Sequence, residues 1–155
     1  MSFSKLLAKH MREIHFGGNW TVSSLKDQLN DVSWEEATTQ VPNLNTIATL
    51  TYHVSYYVHV DLKVLKGDDL VASDKESFEL PPVNSEQDWE ELKERIWSET
   101  EEFASLIEQL SDEQLQADFV KAEYGNYYRN LHGIIEHAHY HLGQIALIKK
   151  LIRNT

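Results

Sequence analysis

The stretch His137-Ala138-His139-Tyr140-His141-Leu142-Gly143-Gln144-Ile145 decides the fold, because two of its histidines keep register with an apolar helix stripe. With His137 at zero, His141 falls about 40° away, Ile134 about 60°, Gln144 about −20°, Ile148 about 20° and Ile152 about 60°. His137 and His141 therefore share a face with the isoleucines and point towards a core. His139, about 200° round, and His132, about 140° away, point elsewhere. The periodicity predicts a helix from about Arg129 to Arg153. Lys149, Lys150 and Arg153 near its C-terminus suit the helix dipole.

Three more long helices are predicted upstream. Phe3, Leu6, Leu7, Met11 and Ile14 recur at helical spacing over residues 2–15, and Gly17 and Gly18 stop that segment. A second long helix runs from about Thr46 to Lys66, opened by Asn45 or Thr46. On it Thr46, Leu50, His53, Tyr57, Val60 and Val64 fall on one side, and Ser55, His59 and Lys66 on the other. A third covers roughly Glu86 to Leu110, opened by Ser85 with Asp88 at the third position. Thr21 is read as the cap of a short helix over Val22 to Asn30. Ser33 with Glu36, and Ser111 with Gln114, read as capping boxes for two more short helices. Residues 67–84, with Asp68, Asp69, Asp74, Pro81 and Pro82, and residues 117–130, with Gly125, read as long loops. Four long helices without a strand predict an all-α four-helix bundle with long connections, forming a single domain over residues 1–155.

Composition narrows the chemistry. With 14 Lys and Arg against 25 Asp and Glu, the net charge of −11 opposes binding to nucleic acid, and no basic patch or phosphate-binding glycine loop offsets it. The first eighteen residues lack the apolar centre of a secretory signal, and no run is long enough to span a membrane, so a cytoplasmic protein without a membrane partner is expected. Zero Cys excludes a disulfide framework, a thiolate metal site and a catalytic thiol. Any tightly bound transition metal must then use the carboxylates and the eight histidines.

Two histidines one helical turn apart form a chelate, with metal–nitrogen bonds of about 2.0–2.1 Å. The zinc-protease form of this motif carries Glu directly after the first His; Ala138 stands there, which disfavours that class. His53, inward on the second long helix, is the best third ligand, and three His ligands leave a coordination position open. The same three residues also suit hydrogen-bonded positions in a core, so both readings stand. His10, His15, His59, His132 and His139 read as surface or loop residues. Tyr57 reads as a core tyrosine within reach of a ligating imidazole, Asp68, Asp69 and Asp74 as a solvated loop with a mouth over the site as the alternative, and the four tryptophans as core or subunit-contact residues.

The 137–145 string resembles the C-terminal helix signature of the DinB-like superfamily, an H-x-x-Y-H-x-G-Q-I pattern. Residues 46–57 resemble that family's second helix, and 18–29 and 85–89 also sit where its pattern puts them. The resemblance implies a four-helix bundle of unusual helix order, often a homodimer. It implies a metal site of His53, His137 and His141 holding a divalent transition metal, nickel or zinc. Many members carry Asp directly after the first histidine of the last helix; Ala138 departs from that. Relatives include enzymes that use low-molecular-weight thiols and others described as metal-dependent hydrolases.

Three functions follow as expectations. The first is a metalloenzyme acting on a small-molecule substrate, either as a thiol-dependent S-transferase or as a hydrolase; the missing Cys fits an external thiol. The second is a non-enzymatic bundle that binds a metal or small molecule. The third is a bundle whose histidines only hydrogen-bond in the core.

Overall fold

Each of the seven α-helices among the described residues starts on a side chain that caps it. Ser2, Ser24, Ser33, Thr46, Ser85, Ser111 and Asn126 each accept the backbone N–H of the third residue that follows. Such a cap satisfies one otherwise orphaned donor and is worth about 1 kcal/mol. In the computed structural model, which describes residues 2–154, the helices are α1 (Phe3–Phe16), α2 (Leu25–Leu29), α3 (Trp34–Thr38), α4 (Ile47–Leu65), α5 (Glu86–Glu108), α6 (Asp112–Gln116) and α7 (Tyr127–Arg153). Two 3-10 turns, Glu76–Phe78 and Ala122–Tyr124, interrupt the two long loops.

The four long helices form an all-α bundle in which α1 and α4 each pack against both α5 and α7. Consecutive long helices α1 and α4 therefore stand diagonally, and so do α5 and α7. The long connections permit this order: α2 and α3 carry the chain across the bundle, α2 resting on α1 and α7 and α3 on α4 and α5. The core holds Met11, Ile14, Trp89, Phe103, Leu131 and Ile145, all fully buried, and each large apolar side chain contributes roughly 1.5–3 kcal/mol through burial. Trp89 also donates its indole N–H to the Val32 carbonyl over 2.8 Å, which fixes the α2–α3 crossing on α5. At the far end of α7, Arg153 pairs with Asp31 and Glu36, and Lys149 with Asp31. No helix among the described residues is long and apolar enough to cross a membrane.

Several expectations need correction. The short helix after α1 starts at Leu25 on Ser24, not at Val22 on Thr21. Val22 takes a left-handed φ of 53°, which no α-helix contains, and the Asn19 side chain binds both the N–H and the carbonyl of Ser23. The last helix starts at Tyr127 on the Asn126 cap, two residues before Arg129. Gly125, at φ 77°, supplies the sharp turn before that cap. Ser55, assigned to the outer side of its helix, is buried, because α4 is covered by α3, α5, α7 and the Glu76–Phe78 turn together. Its hydroxyl is satisfied by the Tyr52 carbonyl at 2.7 Å. Trp20 is 96 % exposed and belongs to no core.

Candidate metal centre

Helix α4 carries His53 towards α7, and α7 returns His137 and His141 from adjacent turns. The three rings meet edge to face, with centroids 4.5 Å apart for His137–His141 and 4.7 Å for His53 to each of the others. One nitrogen of each lies within 4.8 Å of the others, and no second cluster of this kind exists among the described residues. The Nε2 atoms of His53 and His137 are 2.9 Å apart.

Burial sets the electrostatics. It is the largest cause holding His137 down to about 4, with His141 and His53 adding to it. His53 and His141 are also lowered, again first by burial. The cluster is thus three neutral imidazoles at neutral pH, the form that ligates metals. Nδ1 of His141 donates to Gln144 Oε1 at 2.7 Å, which leaves Nε2 with its lone pair. Nδ1 of His53 lies 2.8 Å from the Ser77 hydroxyl, and its ring stacks on Phe78 at 3.9 Å. Nδ1 of His137 is buried without a hydrogen-bond partner.

These groups fit a divalent metal. Two nitrogens each about 2.0–2.1 Å from one ion stand about 2.9 Å apart at a right angle and about 3.4 Å apart at the tetrahedral angle. The His53–His137 spacing matches the first of these. Neutral nitrogen donors suit zinc, nickel, copper or iron better than calcium or magnesium. Beside the cluster opens a cavity of about 280 Å³ lined by His53, Tyr57, Asp74, Ile134 and His137. The Tyr57 hydroxyl, pushed above its ordinary pKa first by burial and then by Asp74, donates to Asp74 Oδ1 at 3.0 Å.

The structure brings together the three histidines that the helical phase singles out. The other five lie elsewhere. His59 faces Glu99, His132 stacks on Tyr128, and His139 bonds the Ile135 carbonyl. His15 departs from its surface assignment: it is wholly buried in α1, with Nδ1 donating to the Met11 carbonyl at 2.8 Å. Asp74 is tied to Tyr57 rather than simply solvated, whereas Asp68 and Asp69 take no part in the cavity. Ser77 and Phe78, which contact His53, have no signal in the sequence, because the contact spans 24 residues and depends on how the loop folds back.

An all-α bundle with α1 diagonal to α4, and a three-histidine cluster between α4 and α7, defines a recognisable class of helical protein. The DinB superfamily model matches residues 11–145, and the chain belongs to that superfamily. A crystal structure described as the conserved protein of locus from Enterococcus faecalis shares the fold. Its TM-score is 0.72 at 16 % identity, over 100 % of this chain and 99 % of that one. No functionally curated protein matches the sequence.

Proposed function

We propose that this protein is a metal-dependent enzyme acting on a small molecule, as a thiol-dependent S-transferase or a hydrolase. The observation that carries the reading is the convergence of His53, His137 and His141, neutral and buried or half-buried, beside an open cavity. The three imidazoles would hold nickel or zinc. An ion held there would supply Lewis-acid activation of a water or thiol near neutral pH. The chain provides the rest. Asp74, held by Tyr57 at the cavity wall, takes the proton from the entering O–H or S–H group, since its second oxygen has no hydrogen-bond partner among the described residues. With no Cys in the sequence, any thiol arrives as a cofactor.

Metal analysis of untagged protein purified without chelator tests this reading. Close to one nickel or zinc per chain, with a rise in melting temperature on adding either ion, is the expected result. No bound metal and no thermal shift would overturn it. Replacing His137 with Gln should abolish the uptake.

A homodimer is the assembly we infer. Tyr140, Leu147 and Leu151 leave an exposed apolar stripe along α7, and Trp20 projects from the turn after α1. Light scattering at working concentration should return twice the chain mass of 18.0 kDa. The charge of −11 favours small-molecule partners over nucleic acid.

A further inference from the structure

Ser77 sits on the Glu76–Phe78 turn and is completely buried. Its hydroxyl oxygen lies 2.6 Å from the carbonyl oxygen of Asp74 and 2.8 Å from Nδ1 of His53. A serine hydroxyl carries one hydrogen, and a carbonyl oxygen only accepts. At 2.6 Å the two oxygens repel unless that hydrogen lies between them, so it belongs to the Asp74 contact. The Ser77 oxygen must then accept from His53, which places a hydrogen on Nδ1 and leaves Nε2 with its lone pair. Nε2 is the atom that meets His137 at 2.9 Å.

Other contacts hold both parts of this arrangement still. Phe78 stacks on the His53 ring with an interplanar angle of 16°, and Tyr57 meets it at 89°. The turn is fastened to α4 by the Ser73 N–H, which donates to the Tyr56 hydroxyl at 2.9 Å, and by the Tyr57–Asp74 bond. The Ser77 oxygen and the His53 ring are thereby held in place, with the Asp74 carbonyl, at 2.6 Å, nearer to the hydroxyl than Nδ1 at 2.8 Å.

We propose that Ser77 is a positioning residue. Its hydroxyl, engaged by the Asp74 carbonyl, holds His53 as the Nδ1–H tautomer and so presents Nε2 to the cluster. The proposal rests on the metal reading above only for its functional consequence; the tautomer itself is a property of the metal-free chain. Partners that fix a ligating imidazole in this way typically change metal affinity about 10- to 100-fold.

Long-range proton–nitrogen correlation spectra of metal-free protein labelled with ¹⁵N-histidine test the proposal, with His53 assigned by its loss in His53→Gln. The wild type should show His53 protonated at Nδ1. Ser77→Ala should mix the tautomers and weaken nickel binding about 10- to 100-fold, and Ser77→Thr, which keeps the hydroxyl, should restore both. A wild-type His53 protonated at Nε2 overturns the proposal even if Ser77→Ala fails to fold. A folded Ser77→Ala with unchanged tautomer and unchanged nickel affinity overturns it as well. Failure of the wild type to bind nickel or zinc overturns the metal reading instead, and is distinguishable because the spectra need no metal.

Discussion

The Tyr57 hydroxyl donates to Asp74 Oδ1 across 3.0 Å, joining helix α4 to the loop that walls the cavity. If Asp74 accepts the proton of the nucleophile, Asp74→Asn should lower turnover in a thiol-transfer or hydrolysis assay by about 10²–10⁴. Metal content should not change, because Asp74 is outside the three-nitrogen cluster. Tyr57→Phe removes one hydrogen bond and should reduce turnover by up to about 10-fold. Undiminished turnover in Asp74→Asn would remove the residue from the mechanism.

His15 is fully buried and neutral, held down to about 4 first by desolvation, from an ordinary 6.5. The unfolded chain therefore takes up a proton at this residue before the folded chain does. The contribution of His15 to stability should be lost as pH falls from about 6.5 towards 4 and level off below. His15→Gln should reduce that loss by up to about 3 kcal/mol, read as urea-unfolding free energies across the range. Parallel curves for variant and wild type would show that His15 contributes no slope.

Asp61 on α4 has the opposite sign. Desolvation alone pushes its carboxyl up from 3.8 to about 7. The unfolded chain releases this proton first, so this group's contribution weakens as pH rises from about 4 to 7. Asp61→Asn should be more stable than wild type at pH 8 by about 1–3 kcal/mol, with the advantage shrinking at pH 4. Because the His15 and Asp61 slopes oppose each other between about 4 and 6.5, the wild-type profile should be flatter there than that of either variant.

Asp31 accepts from Lys149 at 2.5 Å and from Arg153 at 2.8 Å, joining the end of α7 to the α2–α3 crossing. The Asp31 carboxylate is solvent-facing, so Asp31→Ala should cost only about 0.5–1 kcal/mol. The difference should shrink in 1 M salt, where charges are screened within about 3 Å. A salt-independent loss would mean that the residue acts by packing.

Much of the candidate site was legible because α7 is amphipathic. Ile134, Ile148 and Ile152 mark its inner face, and His137 and His141 fall within that arc. His53 was legible for the same reason on α4. Periodicity loses meaning where a helix is covered on most sides, which is why Ser55 was assigned outward although α4 buries it. His15 was a readable miss: Ala8 and Met11 stand seven and four positions before it, on the buried face of α1. Ser77 and the Asp74 bond to Tyr57 were not legible, since both depend on the path of a loop whose residues carry no period. The diagonal order of the long helices was equally hidden, because helix lengths and caps specify elements and not which neighbours they choose.

Six of the seven helix starts are held by hydroxyls and the seventh by an amide, none of which ionises. Acid therefore leaves these seven capping bonds in place. Protonation reaches His15 and its packing, the ion pairs of Asp31 and Glu36, and the carboxylates that brace two helix starts, Glu36 on the Ser33 N–H and Asp88 on the Asn84 N–H. The expected acid form keeps its helices while their packing loosens, to be read as retained far-ultraviolet dichroism with loss of the near-ultraviolet signal of the buried Trp89.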